Sequence, residues 1–161
     1  MFKGTNEGVV SNEDGRFYLE SKLTFKVIVV SFSGFQTKEV ALPKAVIKAL
    51  GEPDGLINNA GIIQPFVKVN DLSLEDAHHV MNVNFTGPLM LTKAFLPGLI
   101  SRPEAHILNV SSMGAYAPVP GQSVYGASKA AIKLFTEGLR SELLSTKVGV
   151  TIVFPGAIAT N

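Results

Sequence analysis

Residues 106–154 read HILNVSSMGAYAPVPGQSVYGASKAAIKLFTEGLRSELLSTKVGVTIVF, and this segment sets the architecture. A short apolar run at His106–Val110 predicts a strand, and the pattern from about Ser123 to Ser145 predicts a long helix. The β-branched run Val148–Phe154 predicts another strand. Two strands joined by a helix of this length predict a parallel pair with a crossover connection.

The same alternation of helix and strand extends back to about residue 41. Leu42–Leu50 reads as a short helix that Gly51 ends, and Gly55–Asn58 reads as a short buried strand. Ser73 is a good N-cap for the next helix because Asp76 follows three residues later, and a further helix is expected over about Thr86–Ile100. The pattern predicts an α/β fold, a doubly wound parallel sheet with helices on both faces.

Residues 1–41 have a different, β-rich pattern. Asn12–Gly15 is a turn signal, and Phe25–Phe32 is a run rich in β-branched residues. We therefore divide the chain into a β-rich segment, residues 1–41, and an α/β domain, residues 42–161.

Composition excludes several classes of function. The net charge of the 161-residue chain is +1 and no Lys/Arg run occurs, so neither nucleic acid nor an anionic membrane is expected as a partner. No cysteine is present, which rules out disulfides and thiolate metal sites. The start of the chain has no apolar signal-peptide core, and runs such as Val27–Val30 are too short to span a bilayer. These features predict a cytoplasmic protein.

Polar residues follow three of the predicted strands, at the sheet edge where parallel α/β proteins bind ligands. They are Asn58-Asn59, Ser111-Ser112 and Pro155-Gly156. Tyr125 and Lys129 are four residues apart, so they share one face of the long helix. A free phenol titrates near ~10, and an adjacent ammonium favours the phenolate. The pair is therefore suited to moving a proton to or from a substrate oxygen, which Ser112 would hold by a hydrogen bond.

The order and spacing of five motifs resemble those of the short-chain dehydrogenase/reductase family. The motifs are Asn58-Asn59-Ala60-Gly61, Asn82-Val83-Asn84, Asn109-Val110-Ser111-Ser112, Tyr125-Gly126-Ala127-Ser128-Lys129 and Pro155-Gly156-Ala157-Ile158-Ala159-Thr160. The resemblance implies a Rossmann-like fold, NAD or NADP as the cofactor, and a secondary alcohol or ketone as the substrate. No metal is expected, since the chain has no cysteine and the adjacent His78 and His79 would diverge on a helix. The resemblance also implies a catalytic tetrad of Asn84, Ser112, Tyr125 and Lys129, in which Asn84 would anchor a water leading to Lys129. The cofactor-binding residues that it implies are Asn58, Asn59, Ala60, Gly61, Tyr125, Lys129, Pro155, Gly156, Ile158 and Thr160.

The chain departs from the family pattern at both ends. The glycine-rich turn Thr-Gly-x-x-x-Gly-x-Gly, which holds the cofactor pyrophosphate, has no counterpart before Leu42. The segments that should follow Asn161 are also missing, so we expect a partial domain. Residues 2–42 instead resemble a carboxypeptidase-D regulatory-like β domain, which suggests a fusion. A strand at Lys26–Val30 would then form a βαβ unit with Leu42–Leu50 and Gly55–Asn58.

Three functional classes stay open at this point. The first is an NAD(P)-dependent oxidoreductase with Tyr125 as the acid/base. The second is an inactive chimera or relic that lacks the pyrophosphate turn, and the third is a binding or assembly module. The Tyr125–Lys129 helix also offers a small apolar side, Ala130, Leu134 and Gly138, on which a second copy could pack. His78, His79 and His106 are interpreted as solvated or strand-end residues, and Ser111 as structural.

Overall fold

The structure, a computed structural model, describes residues 51–157, residues 46–48 and the backbone of residues 27–30. The strands are β1 (Val27–Val30), β2 (Gly55–Asn58), β3 (Ala105–Val110) and β4 (Val148–Val153). The helices are α1 (Leu74–Met81), α2 (Gly87–Ile100) and α3 (Ser123–Glu142), with a π-helical segment, Asn82–Thr86, between α1 and α2. Short 3₁₀ turns lie at Val69–Asp71 and Met113–Ala115.

The four strands form one parallel sheet in the order β1-β2-β3-β4. The predicted α/β architecture is therefore confirmed. The pairing of β1 with β2, in which Val27 lies opposite Gly55, also confirms the predicted parallel pair between these two segments. Residues 46–48 between them are helical, as expected for part of Leu42–Leu50.

One face of the sheet carries the hydrophobic core. Leu56, Ile107 and Val150 lie side by side across β2, β3 and β4 and are almost fully buried. Phe95 and Leu99 of α2, together with residues from α3, pack against this row. Fully burying an aliphatic or aromatic side chain contributes about 1.5–3 kcal/mol, so this layer supplies much of the stability.

The opposite face carries no helix within the part of the chain that the structure describes. His106 and Val153 point to this face, because strand side chains alternate, and both are exposed. The prediction of helices on both faces is thus not met by the described residues. The four strands lie in the sheet in the same order as in the chain. Because each crossover between neighbouring parallel strands is right-handed, every crossover helix lies on the same side of the sheet.

Local signals set the element boundaries close to where the sequence predicted them. The Ser73 hydroxyl accepts the Asp76 N–H at 3.0 Å and donates to the Asp76 carboxylate at 2.7 Å, which confirms the predicted N-cap of α1. Gly51 adopts a φ of 79°, and its N–H bonds to the Ile47 carbonyl at 2.8 Å. The α3 helix stops at Glu142, slightly before the predicted Ser145.

Several sequence predictions lie outside the described residues. They are the β-rich character of residues 1–41 apart from β1, the ends of Leu42–Leu50, and the positions of Ile158 and Thr160. Among the helices that the structure describes, none has both the length and the apolar character that crossing a bilayer requires.

Candidate active site

The loop after β2 is anchored by a chain of buried polar side chains beneath the sheet edge. The Asn58 side-chain amide donates to Asn109 Oδ1 at 2.7 Å and to the Thr92 hydroxyl at 3.2 Å. Asn109 in turn donates to the Thr136 hydroxyl on α3 at 2.8 Å. Asn58 therefore links β2 directly to β3 and α2, and Asn109 extends these hydrogen bonds to α3.

Gly61 brings the backbone of this loop close to the head of Lys129. A methyl group added at Gly61 would lie 3.0 Å from Lys129 Nζ and 3.6 Å from Asn84 Oδ1. Such a contact is tighter than most real Cβ contacts, so only glycine leaves this space free. Asn59 and Ala60, which precede Gly61, are exposed and half-buried respectively.

The π-helical segment turns Asn84 into the interior, where it fixes the same loop. Asn84 accepts the Ile62 N–H at 2.8 Å and donates to the Ile62 carbonyl at 2.9 Å. Its second amide hydrogen goes to the Ser128 hydroxyl at 2.9 Å. Both donors of Asn84 are thus used, and one lone pair of Oδ1 is left for a water. Asn84 lies within this π-helical segment, and π-helical turns are frequent at functional sites.

Tyr125 and Lys129 lie on one face of α3, as their spacing predicted. Lys129 Nζ is 6.0 Å from the centre of the Tyr125 ring and donates to the Val110 carbonyl at 3.1 Å. The Lys129 side chain is only 4% exposed, and this burial lowers its pKa from 10.5 to about 8. The Ser111 hydroxyl donates to the Lys129 carbonyl at 2.8 Å, a buried contact that links the end of β3 to α3.

Ser112 and Tyr125 meet at Gly114. A methyl group added at Gly114 would lie 3.2 Å from Tyr125 Cε1 and 3.5 Å from the Ser112 hydroxyl, whose oxygen accepts the Gly114 N–H at 3.1 Å. The neighbouring Met113 N–H donates to the Pro155 carbonyl at 3.1 Å, which links the segments that follow β3 and β4. The structure therefore gathers Ser112, Tyr125, Lys129 and Asn84 at the carboxyl edge of the sheet. Gly156 is exposed.

Two glutamines that the sequence analysis did not single out complete the surroundings of Tyr125. Gln64 is 1% exposed, and its side-chain oxygen accepts the Tyr125 backbone N–H at 2.8 Å. Gln122 is 2% exposed and donates to the Gln64 carbonyl at 2.9 Å. No local pattern marks either residue, because their partners come from distant parts of the chain.

An open cleft of about 730 Å³ lies against these residues and is lined by Asn59, Gly61, Ile62, Ile63, Tyr125 and Lys129. Its polar groups are a phenol, an ammonium and an amide side chain, which can hydrogen-bond the hydroxyl groups of a nucleotide sugar. The glycine at position 61 leaves the approach to this cleft free of a side chain. Within the described residues, no cluster of His, Asp and Glu side chains is arranged to hold a metal ion.

Comparison with known proteins gives consistent results. A sequence model described as short chain dehydrogenase matches residues 20–161. The chain is 40% identical over 115 residues to an uncharacterized short-chain type dehydrogenase/reductase of Sinorhizobium fredii, a match that covers 71% of this chain and 46% of the relative. The family match begins at residue 20, inside the segment that the sequence analysis assigned to a β domain, and the comparisons do not show that β domain.

Solved structures resemble the fold closely. An NAD⁺-bound xylitol dehydrogenase is 30% identical with a TM-score of 0.69, and the match covers 73% of this chain and 45% of that one. A serine dehydrogenase complexed with NADP⁺ is 33% identical with a TM-score of 0.70, covering 74% of this chain and 50% of that one. The chain thus spans about half the length of the relatives that it matches.

Proposed function

The chain belongs to the short-chain dehydrogenase family, and from this premise we propose that it is an NAD(P)-dependent oxidoreductase acting on a secondary alcohol or ketone. The observation that carries the proposal is the buried Lys129 ammonium 6.0 Å from the Tyr125 ring, at a cleft kept open by Gly61. A phenol beside an ammonium is suited to passing a proton to or from a substrate oxygen.

Each residue has a distinct role in the proposed reaction. Tyr125 gives its phenolic proton to the carbonyl oxygen during reduction and takes it back during oxidation. Lys129 favours the phenolate electrostatically, because a positive charge near a phenol stabilises its ionised form. Ser112 donates a hydrogen bond to the same substrate oxygen and holds it in place. Asn84 braces the cleft loop through Ile62 and offers its remaining lone pair to a water on the path from Lys129 to solvent.

The proposed cofactor is NAD or NADP. When bound, it supplies or accepts the hydride. Tyr125 and Lys129 would hold its nicotinamide end, while Asn59, Ala60 and Gly61 would border the cleft on the adenosine side and the buried Asn58 would support them from beneath. Pro155 and Gly156 extend this border, and the same role is proposed for Ile158 and Thr160.

Replacing Tyr125 by Phe tests the proposal. This change removes the phenolic oxygen and keeps the ring, so we expect turnover of secondary alcohols to fall by at least about 10²-fold, as for loss of a general acid/base. Tyr116→Phe is the matched control, because Tyr116 is an exposed tyrosine on the neighbouring loop and packs on Phe154. A Tyr125→Phe protein that retains the parent rate would refute the assignment of the acid/base.

A second candidate is a folded relic or chimera without catalysis, and it rests on the prediction that residues 1–41 contain no pyrophosphate-binding glycine turn. The two candidates differ in cofactor binding. A ligand at a hundredfold excess over its dissociation constant stabilises the folded state by about 2.7 kcal/mol. A melting temperature raised by saturating NADH or NADPH supports the enzyme and identifies its preferred cofactor, whereas an unshifted melting temperature supports the relic.

We further propose that two copies associate through α3. Leu134 is 64% exposed, and a methyl group added at Gly138 would meet no atom within 4 Å, so this side of the helix is uncovered. Leu134→Glu should then lower the sedimentation coefficient of the dimer to that of the monomer. A parent protein that is monomeric at all concentrations would contradict this proposal. The cytoplasmic location and the domain boundary near residue 42 stay predictions from the sequence.

A further inference from the structure

We propose that Gln64 is a positioning residue for Tyr125, because its side chain holds the first turn of α3 against the loop that lines the cleft. This inference rests on the proposed function for its effect on turnover. Gln64 lies three residues after Gly61 and is fully buried, with an exposure of 1%. It does not line the cleft, so its role is exerted through the backbone of Tyr125.

The start of α3 needs such a partner. The first N–H groups of a helix have no acceptor within the helix and are usually capped by the side chain of the residue just before it. In α3 this residue is Gln122, and its side chain makes no capping hydrogen bond. The Tyr125 N–H is instead accepted by Gln64 Oε1 at 2.8 Å, across 61 residues of sequence. The helix that carries the proposed acid/base is therefore capped from the cleft loop.

The amide of Gln64 is held in one orientation by its other contacts. Gln64 Nε2 donates to the Gly121 carbonyl at 2.8 Å, and Gln122 Nε2 donates to the Gln64 carbonyl at 2.9 Å. Gly121 has a φ of 83°, and a methyl group added there would lie 3.3 Å from the Phe66 carbonyl carbon. The two loops are thus packed backbone to backbone and cross-linked by two glutamines. This arrangement leaves the first turn of α3 little freedom to shift.

The choice of glutamine follows from these two bonds. A side chain at position 64 must accept from Tyr125 and donate to Gly121, which an amide does at once. Glutamate keeps the acceptor, and its charge suits a helix N-terminus, but its ionised form cannot donate. Methionine has a similar length and makes neither bond. Because a misplacement of about 1 Å in an active site can reduce turnover by about 10²-fold, loss of this contact should affect catalysis.

The experiment compares the full-length parent with Gln64→Met and Gln64→Glu. Hydrogen exchange at the Tyr125 amide is followed by NMR, with the Gly126 amide as an internal control because it bonds to the Gln122 carbonyl within the helix at 2.9 Å. Gln64→Met should accelerate exchange at Tyr125 at least tenfold and leave Gly126 within threefold. It should lower kcat by 10- to 100-fold with KM values within threefold. Gln64→Glu should protect the Tyr125 amide and retain kcat within about fivefold.

Contacts of the Tyr125 ring provide a measurement that does not depend on turnover. Gly114 lies against Tyr125 Cε1, so the parent should show a nuclear Overhauser effect between the Gly114 α protons and the ring. Gln64→Met should weaken this signal, and an unchanged signal together with an unchanged kcat would overturn the proposal. If the parent turns over no alcohol, the proposed function is wrong. The hydrogen exchange of the Tyr125 amide and the nuclear Overhauser effect at its ring would still show whether Gln64 positions Tyr125. If Gln64→Met does not fold, hydrogen exchange of the parent decides the proposal. The proposal is overturned if the Tyr125 amide of the parent exchanges as fast as the Ser123 amide.

Discussion

Lys129 stabilises the proposed phenolate at the expense of the folded state, and replacing it should make the protein more stable. Lys129 is 4% exposed, and its hydrogen bond at 3.1 Å goes to the Val110 carbonyl, a neutral group that does not balance the charge. Burying a cation without a paired anion is unfavourable. We therefore predict that Lys129→Met, which keeps most of the length of the side chain and removes its charge, raises the free energy of unfolding while it abolishes turnover.

The magnitude follows from the lowered pKa of Lys129. A fall from 10.5 to about 8 corresponds to about 3 kcal/mol by which burial disfavours the protonated form. Removing the ammonium also leaves the Val110 carbonyl without this donor, which costs about 1 kcal/mol. The net expectation at neutral pH is a gain of about 2 kcal/mol. For a domain of this size, such a gain raises the melting temperature by about 5 °C.

The gain should depend on pH in a defined direction. Below pH 8 the folded and unfolded parent both carry the Lys129 proton, so the full cost of burial is present. Between about pH 8 and 10.5 the unfolded chain holds this proton and the folded protein does not, so the stability of the parent increases with pH. The advantage of Lys129→Met is therefore largest below pH 8 and shrinks through this window. Above the window the parent should be the more stable protein by about 1 kcal/mol, because its neutral amine still donates to the Val110 carbonyl.

Urea denaturation of the parent and the variant at several pH values between 6.5 and about 10.5 measures this difference. Lys133→Met is the matched control on the same helix. Lys133 is partly exposed, pairs with Glu137 at 3.2 Å and lies 5.3 Å from the centre of the Tyr116 ring, so its replacement should lower stability by about 1 kcal/mol. A Lys129→Met protein that is less stable than the parent at pH 7, or whose stability difference is constant with pH, would refute the reasoning.

Two further substitutions test the site and the core. Gly61→Ala should reduce kcat/KM at least tenfold with a change in stability below about 1 kcal/mol, because its methyl group would lie 3.0 Å from Lys129 Nζ and displace the ammonium. Steady-state kinetics of Gly61→Ala and of the control Gly138→Ala, whose added methyl group would meet open space, check this prediction. Equal rates in the two variants would contradict it. Asn109→Leu should lower the free energy of unfolding, measured by chemical denaturation, by about 2–4 kcal/mol. Asn109 is fully buried, and its replacement removes an acceptor of the Asn58 amide. A loss below 0.5 kcal/mol would mean that this buried network contributes little.

Some of the proposed site residues are marked by a local sequence pattern, and others are not. Tyr125 and Lys129 were found from their spacing, because two residues one turn apart on a helix must share a face. Asn58 and Ser112 were found because they follow strands whose carboxyl ends meet at one edge of the sheet. Gln64 and Gln122 were missed, since the bond between Gln64 and Tyr125 spans 61 residues and has no counterpart in any local pattern.

The sequence by itself determined the order of strands and helices, their caps and the clustering of polar residues at one sheet edge. These features depend on neighbours a few residues apart, as in the Ser73 cap, and on the period of apolar side chains. Tertiary structure alone decided that the described helices share one face, that Lys129 is buried enough to lower its pKa, and that Gln64 caps the helix of Tyr125. Each of these depends on which distant segments lie side by side, because burial and long-range hydrogen bonds are created only when the folded chain brings them together.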